Sequence, residues 1–187
     1  MRKSVATLHL TNGKESVPEN KRSIAFILRL CDALCMPSHP NKPHRLQQIF
    51  QSYDAPIYFV TFCTADRKAI LANAAVHAAF RQYAETAEPR GIAIGRYVIM
   101  PDHIHCFLRM APQHTLGTTV RMIKRALSTG IQEPMPHWQP GFFDHLLRHR
   151  ESYSEKWDYV WRNPVRAGLV GRPEDWAFQG EVVSIRY

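Results

Sequence analysis

His103-Ile104-His105 sets two imidazoles two residues apart in the run Pro101-Asp102-His103-Ile104-His105-Cys106-Phe107-Leu108-Arg109-Met110. The run alternates as a strand does, and side chains two apart on a strand share a face. Ile104, Cys106, Leu108 and Met110 then form a core face, with His103, His105, Phe107 and Arg109 on the other. Two imidazoles side by side on a rigid strand can hold one metal ion. A pair alone does not make a centre, so further groups must join it. Phe107, on the same face, can stack on a base or pack beneath a docked helix, and the second reading is preferred.

The other chemically suggestive stretch is near the C-terminus. The spacing predicts a helix over Ser152 to Arg162, ended by Asn163-Pro164. At about 100° per residue, Tyr153, Trp157, Val160 and Trp161 make a core stripe. Tyr159 lies opposite it. If helical geometry persists, Arg162, Asn163 and Arg166 fall within about 60° of Tyr159. A tyrosyl oxygen can attack a phosphodiester and become joined to DNA. Its ordinary pKa of about 10 means that it needs help at neutral pH. A divalent ion can polarise the phosphate, and Arg162 and Arg166 can hold phosphate oxygens. The Asn163 amide oxygen can join His103 and His105 as a third ligand, although Asn is also a common residue at a helix C-terminus. Tyr153 is a rival nucleophile by proximity, but its place on the core stripe argues for packing.

These residues need a scaffold. Ile57 to Thr64 is β-branched and aromatic and predicts a strand. Asn73 to Ala87 predicts a helix, with Val76, Phe80 and Tyr83 at helical spacing. Ile92 to Met100 predicts a second strand, joined to the His strand as a hairpin by the Pro101-Asp102 turn. Thr115 to Ile131 predicts a helix whose apolar stripe is Leu116, Val120, Ile123 and Leu127. A short strand is expected to start at Gly141-Phe142-Phe143-Asp144, and Val165 to Tyr187 reads as a tail. This order predicts an α+β sandwich, one antiparallel sheet with helices on one face.

The 187 residues suit one domain with a substantial core. Lys and Arg number 24 against 16 Asp and Glu, a net charge of +8 that favours anionic partners, nucleic acid first. Arg121, Lys124 and Arg125 form a basic stripe on their helix, and Arg148 and Arg150 precede the Tyr159 helix. All five are candidate phosphate contacts. The four cysteines show no disulfide framework, and Cys63 and Cys106 read as buried thiols. A reducing cytoplasm is the default, and no segment approaches the length of a bilayer span. Residues 1–44 read as a loose N-terminal extension preceding a domain over 45–187. Cys31, Cys35, His39 and His44 in that extension fit no familiar zinc spacing, and Met36 is a plausible alternative start.

Four blocks carry a resemblance to a known family. They are Tyr58-Phe59-Val60-Thr61-Phe62, Tyr97-Val98-Ile99-Met100-Pro101-Asp102-His103-Ile104-His105, Trp138-Gln139-Pro140-Gly141-Phe142-Phe143-Asp144-His145, and Tyr159-Val160-Trp161-Arg162-Asn163-Pro164-Val165-Arg166-Ala167-Gly168-Leu169-Val170. From about Arg45 to Val183 the chain resembles the REP-associated tyrosine transposases, a branch of the single-tyrosine HUH (His-hydrophobic-His) transposases. The resemblance implies a ferredoxin-like or RRM-like sandwich with a C-terminal helix carrying the nucleophile. It implies Tyr159 as that nucleophile, His103 and His105 as the metal pair, Asn163 as third ligand, and Mg²⁺ or Mn²⁺ as the ion. The implied activity is cleavage and rejoining of single-stranded, hairpin-forming palindromic DNA through a 5′-phosphotyrosine link. The implied partner is that DNA, bound by a monomer or homodimer in the cytoplasm with the nucleoid. Two other readings stay open: a non-catalytic nucleic-acid-binding domain on the same fold, and a metal-dependent nuclease in which water attacks.

Overall fold

The computed structural model describes residues 56–147 and 150–185, without the side chains of 150–152. The extension over 1–44, its cysteines and histidines, Arg148 and the side chain of Arg150 thus lie outside the described residues. The elements are β1 (Ile57–Cys63), α1 (Ala74–Ala87), β2 (Ile92–Ile99), β3 (His103–Met110), α2 (Leu116–Ser128), β4 (Phe143–Leu147), α3 (Arg150–Trp161), α4 (Asn163–Arg166) and β5 (Gln179–Glu181). Both long helices of the first half start at a side-chain cap. Asn73 accepts from the Val76 N–H at 2.9 Å, and Thr115 accepts from the Thr118 N–H at 3.3 Å.

The strand order is β4-β1-β3-β2-β5, with every pair antiparallel. The first four strands have the order and connections of a ferredoxin-like sandwich, as expected from the sequence. β5 is an addition within what reads as a tail. Gln179-Gly180-Glu181 has no hydrophobic alternation; it pairs with β2 at the sheet edge through its backbone, with the Glu181 carboxylate 3.5 Å from Arg96 Nε.

Period-2 alternation divides the sheet into two apolar faces. Val60, Phe62, Ile94, Ile104, Cys106 and Leu108 pack against Val76 and Phe80 of α1 and Val120, Ile123 and Leu127 of α2. Ile57, Phe59, Val98 and Phe107 form the second face and pack against Tyr153 and Val160 of α3. Ile185 enters that second cluster after the chain has passed β5. Burying a large apolar side chain such as Phe107 stabilises by about 1.5–3 kcal/mol. Its ring lies 4.6 Å from that of Tyr153, so Phe107 packs beneath α3. Cys106 is a buried free thiol, whereas Cys63, also buried, is disulfide-bonded, so the thiol reading holds for Cys106 alone.

The last helix departs from its predicted span. α3 ends at Trp161, Arg162 forms a turn, and Asn163 opens α4. Pro164 has no N–H for the i→i−4 ladder, yet it fits the first turn of a new helix. The positions of Asn163 and Arg166 therefore follow from α4, not from a continuous wheel. No helix among the described residues is long and apolar enough to cross a membrane.

The two helices of the first layer meet closely at Gly130. A Cβ there would lie 2.9 Å from the carbonyl carbon and oxygen of Ala75, in backbone that cannot yield by a rotamer change. Gly130→Ala is expected to destabilise the fold by about 1–3 kcal/mol. The check is a lower urea midpoint at unchanged m-value.

Candidate active site

β3 presents His103 and His105 to the face covered by α3. The register sets Thr61 opposite His105 and Phe59 opposite Phe107, and opposed residues in an antiparallel pair share a face. The Thr61 hydroxyl oxygen accordingly lies 2.7 Å from His105 Nδ1. The Phe59 ring stacks on the His105 imidazole, with centroids 5.6 Å apart and planes 17° apart. Lys156 of α3 is 1% exposed, and its ammonium sits 5.5 Å from the centre of the Phe59 ring.

His103 is held from the turn before it. Its Nδ1 lies 2.6 Å from one oxygen of Asp102, whose other oxygen is 2.7 Å from Arg67 Nε. Arg67 stands in a tight turn where it and Asp66 both have positive φ, 57° and 54°. Two successive non-glycine residues in the left-handed region cost about 1–3 kcal/mol each and persist only where the surroundings hold them. Thr64 does this locally, its hydroxyl standing 2.8 Å from the Lys68 carbonyl and 3.0 Å from that of Asp102, which share its one hydrogen.

The two Nε2 atoms converge at 3.1 Å. Two imidazole nitrogens brought this close together could hold one ion between them. Burial first, then the charges of His103, Arg166 and Arg67, hold the His105 imidazole well below its ordinary pKa. It is therefore neutral, as a ligand must be. Burial alone would raise the Asp102 carboxyl. The hydrogen bond and charge of His103, and the Arg67 guanidinium, outweigh it and keep Asp102 below the ordinary carboxylate value.

Among the described residues no group of three or more His, Cys, Asp and Glu side chains is arranged to hold a metal. Any further donor that the described residues could offer beside the two imidazoles is of another type. Asn163 is 6% exposed, and its amide Nδ2 has no hydrogen-bond partner. A buried polar atom left unmet calls for a reason. A half-turn of the amide exchanges nitrogen for oxygen, so the unmet atom suits an ion ligand.

Tyr159 is half-buried at the margin of α3. The Arg166 guanidinium lies over its ring, 3.8 Å from the centroid, and Arg166 Nη1 donates to the Tyr159 carbonyl at 2.8 Å. The same Arg166 charge is felt at His105. One side chain thus touches the tyrosine and acts on the imidazole. Tyr153 is buried against Phe107 and belongs to the core, as its stripe position suggests.

The basic residues divide. Arg162 and Arg166 are exposed beside Tyr159. Arg121 and Arg125 are exposed on α2, whose apolar stripe packs against the other face of the sheet. Lys124 is engaged structurally, donating to the carbonyls of Gln139 at 2.8 Å and Gly141 at 2.6 Å. The sequence reading left out Thr61, Asp102, Arg67 and Lys156. Lys156 stands beside the core stripe of the α3 wheel, not within it, and the Thr61 contact depends on strand register, so no local pattern announces either.

A family model described as "Transposase IS200 like" matches residues 52–153, a span that holds both histidines and stops short of Tyr159. The chain is 30% identical over 92 residues to the REP-associated tyrosine transposase of Escherichia coli (strain K12), covering 48% of this chain and 54% of that protein. It therefore spans about half the length of that relative. It is 24% identical over 139 residues to a putative REP-associated tyrosine transposase of Haemophilus influenzae (strain ATCC 51907 / DSM 11121 / KW20 / Rd), covering 65% and 77%. Among solved structures, that of a REP-associated tyrosine transposase bound to a REP hairpin superposes with a TM-score of 0.56 at 22% identity, over 71% of this chain and 90% of the other. At that identity the likeness concerns the fold.

Proposed function

The chain belongs to the IS200-like transposase family, and from that premise we propose that it cuts and rejoins single-stranded, hairpin-bearing DNA through Tyr159. The observation that carries the reading is that α3, the helix bearing Tyr159, packs on the sheet face that displays the histidines: Lys156 of α3 lies over Phe59, whose ring stacks on His105.

In this reading the Tyr159 oxygen attacks a phosphorus of the bound strand. The bond from phosphorus to the 3′ oxygen breaks, and that oxygen leaves as a 3′-hydroxyl. The 5′-phosphate stays on Tyr159, and the tyrosine proton is passed by way of solvent to the departing oxygen. His103, His105 and the Asn163 amide would hold a divalent ion, Mg²⁺ or Mn²⁺, which when bound polarises the scissile phosphate. Arg166 lowers the cost of negative charge at the phenolic and phosphate oxygens. Arg162, exposed at the bend, holds a neighbouring phosphate. The return attack of a 3′-hydroxyl on the phosphotyrosine rejoins DNA without a nucleotide cofactor. One chain suffices for one cut, so monomer and homodimer both suit the chemistry. An enzyme with this substrate works in the cytoplasm, with the nucleoid.

End-labelled hairpin strands with Mn²⁺ test this on a denaturing gel. A label at the 3′ end is expected to travel with the protein, while a label at the 5′ end leaves on a free fragment. Cleavage that frees both labels would replace tyrosine with water as the attacker.

A further inference from the structure

A guanidinium carries five N–H groups in a fixed planar fork and accepts nothing, so each unused hydrogen is a place for an anion. Arg67 uses two of its five within the chain. Nε meets the Asp102 carboxylate at 2.7 Å, and Nη1 donates to Cys63 Sγ at 3.1 Å. Both hydrogens of Nη2 and the second of Nη1 have no partner among the described residues. The side chain is 35% exposed, enough for a ligand to reach the unused end.

Position gives that end its meaning. Arg67 stands in the turn after β1 and Asp102 in the turn before β3, at the end of the sheet where His103 begins its strand. The second Asp102 oxygen lies 2.6 Å from His103 Nδ1. The guanidinium is thus two hydrogen bonds away from one imidazole of the site. Tyr159 lies on α3, which packs over the same face of the sheet. A strand laid between Tyr159 and the histidines and continuing over the sheet end passes Arg67. Asp66 and Lys68 beside it are exposed and of opposite sign, so their charges offset. Asp102 has both oxygens engaged, which leaves little of its charge to repel a second anion.

We propose that Arg67 is a substrate-binding residue whose Nη2 holds the DNA phosphate next to the scissile one. One planar side chain then serves two anions at once, the Asp102 carboxylate on Nε and the phosphate on Nη2. A lysine has a single ammonium head and lacks the fork that divides between them. The left-handed turn at Asp66 and Arg67 sets the direction of the fork, and Asp102 holds it there. The inference rests on the DNA-cleavage reading given under Proposed function.

Hairpin-bearing strands in which one phosphate at a time is a neutral methylphosphonate test this, with binding to the full chain measured in a chelator. Neutralising the phosphate beside the cleaved one is expected to weaken wild-type binding about tenfold, as the loss of a hydrogen bond to a charged group does. Arg67→Gln should bind every strand about tenfold more weakly, and that one methylphosphonate should weaken it no further. Its log–log salt slope should be shallower by about 0.7, one phosphate contact fewer on a single strand. Arg67→Lys keeps the charge without the fork, and the same methylphosphonate should weaken it by less than about threefold. A role confined to Asp102 and His103 would leave wild type and Arg67→Gln equally sensitive at every phosphate, and that result overturns the proposal. A wild-type scan with no sensitive phosphate beside the cut also overturns it. If Arg67→Gln does not fold, the Arg67→Lys scan decides, and full wild-type sensitivity there overturns it. A phosphate effect present in wild type and lost in Arg67→Gln, with no covalent adduct formed, would overturn the tyrosine chemistry and leave the contact standing. An adduct without the phosphate effect does the reverse, so the two failures can be told apart.

Discussion

Tyr159→Phe is expected to abolish the covalent protein–DNA product and to slow strand cleavage by about 10³-fold or more. Single-strand affinity should stay within about twofold. The substitution is a narrow one. Phenylalanine keeps the ring on which the Arg166 guanidinium rests, 3.8 Å from its centroid. The Arg166 bond to the residue-159 carbonyl is a backbone contact and survives. Only the phenolic oxygen is removed, from a half-buried position, so the fold should lose less than about 1 kcal/mol. Tyr153→Phe is the matched control. Tyr153 packs on Phe107, and its removal from the chemistry should leave adduct formation intact. A slow-migrating adduct that survives in Tyr159→Phe would remove Tyr159 from the reaction. Wild-type cleavage rates in that variant would favour a hydrolytic nuclease.

The second large effect is expected at His105. His105→Ala removes one of the two converging imidazoles and supplies no donor in its place. Lewis-acid stabilisation by a metal is worth several kcal/mol, and each 1.36 kcal/mol is a factor of ten in rate. Cleavage should therefore fall by about 10³-fold, with a parallel loss of Mn²⁺ binding measured directly. Burial and its positive neighbours hold the wild-type imidazole well below its ordinary pKa. Protons at His105 thus compete with the ion only once pH has fallen well under the usual histidine range. Undiminished cleavage in His105→Ala, or in wild type stripped by a chelator, would take the ion out of the mechanism.

The part of this site legible in the sequence is the part that local periodicity encodes. Alternation along β3 separates Ile104, Cys106 and Leu108 from His103, His105 and Phe107, and the two sets enter different cores. The wheel of α3 correctly assigns Tyr153 and Val160 to packing. What supports the histidines comes from non-local geometry. Thr61 reaches His105 through cross-strand register. Arg67 reaches Asp102 through a left-handed turn that no residue pattern announces, since neither Asp66 nor Arg67 is glycine. Lys156 reads as an ordinary helix cation until the sheet beneath it is seen. The break at Arg162 was foreshadowed by Pro164, but the restart of the helix at Asn163 was not, and that restart is what places the Asn163 amide in a buried position.

α2 with its exposed arginines lies across the sheet from the histidine pair, and this separation bears on the mechanics of any nucleic acid that touches both. A path from Arg121 and Arg125 to Tyr159 must turn around β4 or β5, the two edges of the sheet. Each packed layer is about 10 Å thick, so that turn is tight. Duplex DNA has a persistence length of about 150 base pairs and resists bending on this scale. An unpaired strand does not. Contacts on both faces would thus favour DNA whose rigid stem gives way to a pliant strand at the rim of the sheet, a choice made by stiffness with no base read at all.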